Sequence, residues 1–139
     1  MKGDFRRRAA EFVDSHYAYS VRPVLFKPAE ATAHPFRTSR EGAISYLVGG
    51  NPRFPEDWGF ALRPWKRARF SNEGVVIIGD QALAMGRLVF NSAGGLQREA
   101  EYTMGFVQDA EGSLRINLHH VAFPNITSRT DDVAAASPE

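Results

Sequence analysis

The chain has no cysteine among its 139 residues. That absence excludes disulfides, thiolate nucleophiles and cysteine-ligated zinc, and leaves packing to stabilise the fold. Uncompensated charge is also scarce. The 17 Lys and Arg against 16 Asp and Glu leave a formal net charge of +1, too little for a bulk field that would gather nucleic acid or an anionic membrane. No apolar run approaches the roughly 18 residues of a membrane span, and the opening MKGDFRRRAAEFV lacks the apolar core of a secretory leader, so a cytoplasmic protein is expected. The familiar site signatures are missing too: no phosphate loop, GxSxG elbow, HExxH pair or dinucleotide fingerprint occurs.

What is present suffices for one compact unit, since 43% of the residues are hydrophobic. We expect a single domain over residues 1–127. The polar, alanine-rich segment 128–139 has no apolar face and should be a disordered tail.

Two helices open the chain. Over Asp4 to Tyr17, the residues Phe5, Ala9, Phe12, Val13 and His16 recur at spacings of three and four, which puts them on one helical face, with Arg6, Arg7 and Glu11 on the solvated side. Pro23, Pro28 and Pro35 make Val21 to Phe36 extended or looped. Thr38 and Glu41 then match a capping box, ahead of the apolar Ala43, Ile44, Leu47 and Val48, until Gly49 and Gly50 stop the second helix. Asn51 to Gly59 is a loop that can serve as a lid, an oligomer contact or a plain connector.

From Phe60 the pattern turns to strands: Phe60 to Ser71, Gly74 to Ile78, Ala82 to Asn91, Glu99 to Gln108 and Ser113 to Phe123. Short turns between them allow only antiparallel neighbours. The expected architecture is α+β, a curled antiparallel sheet wrapped around N-terminal helices. Leu88, Phe90, Tyr102, Met104 and Phe106 make sheet faces too apolar for solvent, which points to a homodimer through part of the sheet.

Chemistry concentrates near the end of the chain. Strict alternation along the last strand puts Leu114, Ile116, Leu118 and His120 on one face and Arg115, Asn117, His119 and Val121 on the other. The adjacent histidines therefore cannot easily share one metal ion, and the sequence supports no metal set or other cofactor. Either histidine can shuttle a proton, orient a polar ligand or bind a metal with carboxylates from elsewhere. His120, on the apolar face, reads as a hydrogen-bonded core residue, and His119 as the pocket candidate. Tyr46 can send a buried phenol into the space between helix and sheet, and either Tyr102 or Thr103, but not both, can face the same space.

The segments VLFKP (Val24 to Pro28), HPFR (His34 to Arg37), EGAISYLVGGNP (Glu41 to Pro52), ALAMG (Ala82 to Gly86), EYTMGF (Glu101 to Phe106) and INLHH (Ile116 to His120), in this order and spacing, resemble the iota-class carbonic anhydrase family. That family is a branch of the cone-shaped nuclear-transport-factor-like superfamily, which includes the association domain of calcium/calmodulin-dependent protein kinase. The resemblance implies a curved sheet around helices, a pocket inside the cone, dimers through the sheet and reversible hydration of carbon dioxide. Members of that family occur with and without a metal, and the metal-free type holds bicarbonate through a threonine after the KP pair, a tyrosine on the next helix and a serine after the histidines.

Here Lys27 and Pro28 are followed by Ala29, Tyr46 matches the tyrosine, and Val121 and Ala122 follow His119 and His120. Each missing hydroxyl removes a hydrogen bond to a charged ligand worth on the order of 1.5–3 kcal/mol. The resemblance thus implies catalysis by Tyr46 and His119, with Tyr46, Tyr102, His119, His120 and Val121 around a small molecule or bicarbonate. The alternative is a non-catalytic homo-oligomer that binds a small apolar or amphipathic molecule in the same pocket.

Overall fold

The computed structural model describes residues 2–63 and 65–124. The expected tail over 128–139 lies outside them. Helices α1 (Lys2–His16) and α2 (Arg40–Val48) pack on an open sheet of five strands, β1 (Leu25–Lys27), β2 (Trp65–Ile78), β3 (Gln81–Ser92), β4 (Gln97–Gln108) and β5 (Leu114–Ala122), in the order β1-β5-β4-β3-β2. This is the α+β arrangement the sequence pattern predicts.

Ala9, Val13 and Tyr17, spaced by four, are the residues that α1 and its end bury. Fully covering Val13 alone contributes about 1.5–3 kcal/mol. The predicted face is offset: Phe5 and Phe12 stay 42% and 47% exposed, and His16 stacks on Phe12 at the surface. The arginines behave as a solvated face, Arg7 meeting Asp4 and Glu11 at 2.5 and 2.9 Å and Arg6 meeting Glu41 at 2.6 Å.

The cap of α2 falls one residue later than predicted. Ser39, in extended backbone, accepts the Gly42 N–H at 3.1 Å, while Glu41 is drawn away by Arg6 and Arg40. Gly49 ends the helix as expected, at φ 69°, donating to Ser45 O at 2.7 Å.

The loop after α2 is tied down, which favours the connector reading over a lid. Asp57 is held by both terminal nitrogens of the Arg37 guanidinium at 2.6 and 2.7 Å and by Ser45 Oγ at 2.6 Å. Arg37, only 1% exposed, also donates to His34 O and Gly42 O, and its guanidinium lies 4.2 Å from the Phe54 ring centroid. Glu56 accepts the N–H groups of Thr32, Ala33 and His34. Burial pushes the Glu56 carboxyl up, but those amides and Arg37 outweigh it and hold the group at about 2.

Three expectations about the sheet need correcting. The two strands foreseen between Phe60 and Ile78 are one, β2, with an irregularity at Glu73, and Phe60–Leu62 forms a 3₁₀ turn. The proline-rich stretch supplies a strand after all: β1 pairs parallel with β5, Phe26 opposite His119, because its long connection imposes no hairpin. Leu88, Tyr102 and Met104 belong to the core under this chain's own helices, with Phe90 and Phe106 packed against it. A cluster of apolar residues is instead left in solvent at the far end of the β2–β3 hairpin, where Val75, Val76, Ile77, Ile78, Leu83 and Met85 are all about half exposed or more.

A bulge in β5 sets the site. Phe106 pairs with Ile116 and Gly105 with Leu118, so Asn117 is an extra residue. Gly105 accommodates it: a Cβ there would lie 3.0 Å from both Asn117 Oδ1 and Leu118 Cβ. The parity of the strand shifts by one, and Ile116, His119 and Val121 all turn inward.

Candidate functional site

Of these inward side chains, His119 and Val121 line a cavity of about 170 Å³ between α1, α2 and the sheet. Phe12 and Tyr17 come from α1 and its end, Phe26 from β1, Ala29 from the stretch behind it, Tyr46 from α2, and His119 and Val121 from β5. Phe60, Phe90 and Phe123 close it. No lysine, arginine or carboxylate is among its lining residues.

His119 is the polar centre of this wall. Its Nδ1 lies 2.7 Å from the Tyr17 hydroxyl, and its ring stacks on Phe26 with centroids 5.1 Å apart and planes 12° from parallel. Nε2 is buried and meets no hydrogen-bonding group among the described residues. Burial, and secondly the charge of His120, lower the imidazole to about 4, so at neutral pH it is uncharged. The Tyr17 bond leaves two tautomers. With Nδ1–H donating to the Tyr17 oxygen, Nε2 is a free acceptor; with the Tyr17 O–H donating to Nδ1, Nε2–H is a free donor.

Tyr46 is 6% exposed and packs edge-on to Phe26 and against Phe60. Burial first, and Glu30 second, raise its hydroxyl well above the usual tyrosine range. It is a neutral donor at any physiological pH.

The structure thus brings Tyr46, His119 and Val121 together and separates the other two sequence candidates. His120 is exposed on the outer face of the sheet, opposite Thr103, and is no core residue. His119 lines the cavity as the pocket candidate, and the core reading of His120 fails because strict alternation cannot register the Asn117 bulge. Tyr102 lies under the helices, but its hydroxyl donates to Asn72 and its ring meets Phe70 edge-on, away from the cavity. Trp65 packs on Phe60 and Phe90, whereas Trp58 is 74% exposed beneath the Arg63 guanidinium.

Sequence reasoning missed Tyr17 and Phe26 as site residues. Tyr17 has a signal, being four residues beyond Val13 on the buried face. Phe26 has none without β1. Among the described residues, no three His, Asp or Glu side chains gather as a metal-ion group, and no helix is long and apolar enough to cross a membrane.

Comparison with known proteins places this cavity in context. A family model described as metal-independent carbonic anhydrase matches residues 1–123. The metal-independent carbonic anhydrase of Nostoc sp. (strain PCC 7120) is 38% identical over 124 residues, which make up 88% of this chain; the match spans only 60% of that protein's length. The crystal structure of a cyanobacterial iota-carbonic anhydrase complexed with bicarbonate superposes with a TM-score of 0.85 at 38% identity, over 89% of this chain and 76% of that one. At the level of fold alone, a calcium/calmodulin-dependent protein kinase II association domain from Xanthomonas campestris gives a TM-score of 0.54 at 16% identity, over 83% and 73% of the two chains.

Proposed function

Since this chain belongs to the metal-independent carbonic anhydrase family, we propose that its inner cavity hydrates carbon dioxide reversibly, with His119 and Tyr46 as the working groups. The observation that carries this reading is Nε2 of His119, buried without a partner among the described residues on the cavity wall while Tyr17 engages Nδ1. Carbon dioxide is neutral and apolar, as the wall is. In the tautomer with Nδ1–H donating to Tyr17, Nε2 accepts a proton from water as the water oxygen bonds to the carbon of carbon dioxide. One C=O electron pair moves to oxygen, bicarbonate forms, and the imidazolium passes its proton to solvent or buffer. A positioned base contributes typically 10²–10⁴-fold, and an imidazole held near 4 is a weak one, at the low end of that range. The Tyr46 hydroxyl donates to a bicarbonate oxygen. With no cation in the wall, the anion is held loosely and leaves readily.

Stopped-flow hydration of carbon dioxide, with and without chelator, tests this. Activity that survives chelation supports it, and no activity in either case ends it. A second copy across the outer face of β2–β3, where Val76, Ile78, Leu83 and Met85 stand exposed, is the assembly we propose, and sedimentation measures it.

One observation favours a second reading. Ala29 and Val121 both line the cavity, so methyl groups stand where the family resemblance implies hydroxyls. A non-catalytic protein holding a small, weakly polar molecule fits that wall. Saturable ligand binding in a protein inactive toward carbon dioxide would establish it.

A further inference from the structure

Most of the cavity wall is aromatic, with Tyr17, Phe26, Tyr46, Phe60, Phe90 and Phe123 around it. Its volume of about 170 Å³ is several times a water's share of liquid volume, about 30 Å³, and close to the roughly 150 Å³ of an apolar cavity that takes up benzene. Carbon dioxide leaves most of that space unused. Flat rings packing offset or edge-on against such walls gain about 0.5–1.5 kcal/mol per aromatic pair beyond area burial. Among the described residues, Nε2 of His119 is the fully buried side-chain polar atom without a hydrogen-bond partner, and its ring lines this wall.

We propose that this cavity binds a neutral monocyclic aromatic compound carrying one hydroxyl, a simple phenol, with its ring among these side chains and its hydroxyl on Nε2 of His119. The hydroxyl follows from the tautomer pair set by Tyr17. It accepts from Nε2–H in one tautomer and donates to Nε2 in the other, which neither a ketone nor an ether does. A carboxylate on the same ring would be buried with no cation to meet it. The inference goes beyond carbon dioxide hydration and does not require it, although both molecules would compete for one space.

Phenol, toluene and benzoate are titrated into the full chain at neutral pH by calorimetry, with the His119 ring nitrogens followed by ¹⁵N NMR. Phenol is expected to bind saturably and move Nε2, toluene to bind without moving it, and benzoate not to bind. Ala29→Leu, which fills the cavity, should abolish binding of both neutral ligands, and His119→Phe should cost phenol tenfold or more while sparing toluene. If His119→Phe does not fold, the NMR comparison on the unaltered protein decides. No saturable phenol binding, an unmoved Nε2, or benzoate binding as tightly as phenol overturns the proposal. Hydration assayed on the same sample keeps the readings apart. An active protein blind to phenol overturns this inference alone, and phenol binding without hydration supports this inference alone.

Discussion

Tyr17 and His119 stand 102 residues apart in the chain and meet at 2.7 Å between the phenolic oxygen and Nδ1. The contact joins the end of α1 to the inner face of β5, and it leaves Nε2 as the ring's one free nitrogen. Tyr17→Phe should therefore release the ring, mix its orientations and lower hydration at least severalfold. Carbon dioxide turnover and the ¹⁵N shifts of His119 check this together, since a purely structural role would leave the tautomer ratio unmoved.

In the proposed mechanism Tyr46 donates a hydrogen bond that only bicarbonate and its transition state use. Tyr46→Phe keeps the ring packing on Phe26 and Phe60 and should cost hydration roughly tenfold or more, the worth of a hydrogen bond to a charged group of about 1.5–3 kcal/mol. Thermal unfolding should stay close to that of the unaltered protein. An unchanged rate removes Tyr46 from the mechanism.

The buried imidazole makes stability depend on pH. His119 titrates near 6.5 when unfolded and near 4 when folded, so between those values the unfolded chain binds the extra proton. Stability is complete above about 6.5 and falls as pH drops toward 4, by on the order of 3 kcal/mol from this group. Urea titrations at pH 7.5 and 4.5 measure the loss. His119→Phe should remove most of it, and the acid limb of the hydration rate should centre near 4 rather than 6.5.

Restoring hydroxyls tests the apolar wall. Ala29→Thr with Val121→Ser puts oxygens onto positions that already line the cavity, and should raise hydration and weaken uptake of neutral aromatics. If neither changes, the substitutions at 29 and 121 are not what sets the cavity's preference.

Arg37 is buried, and Asp57 is the carboxylate that neutralises it most directly. Asp57→Ala strands that charge and should destabilise the fold by about 3–5 kcal/mol, read as a drop in the urea midpoint. Arg37→Met with Asp57→Leu should recover a large part of the loss, because an apolar pair leaves no charge unpaired.

The sequence carried the general architecture because both helices and the hairpins have strong local signals, such as the apolar spacing of Ala9 and Val13 and the glycine stop at Gly49. It pointed to Tyr46 and His119 through their places on helix and strand and to Val121 through family resemblance, and all three line the cavity. It did not carry β1, whose three residues lie among prolines and gain strand geometry only by pairing with β5. Nor did it carry the shared inward face of Ile116 and His119, which strict alternation sets on opposite sides. Gly105, a glycine inside an apolar strand, was the available mark of a bulge, but only the facing strand shows which residue it makes room for. Tyr17 reads only as the end of the first helix, and its hydroxyl partner lies at the other end of the chain.

The same bulge gives meaning to the doubled histidine. A one-residue slip of β5 against β4 would exchange every inward side chain for its neighbour, setting His120 opposite Met104 where His119 now sits and Ala122 where Val121 does. An imidazole would still face the cavity, beside a still smaller apolar neighbour. Adjacent repetition of one residue type makes this wall tolerant of misregistration at the point where its strand is least regular.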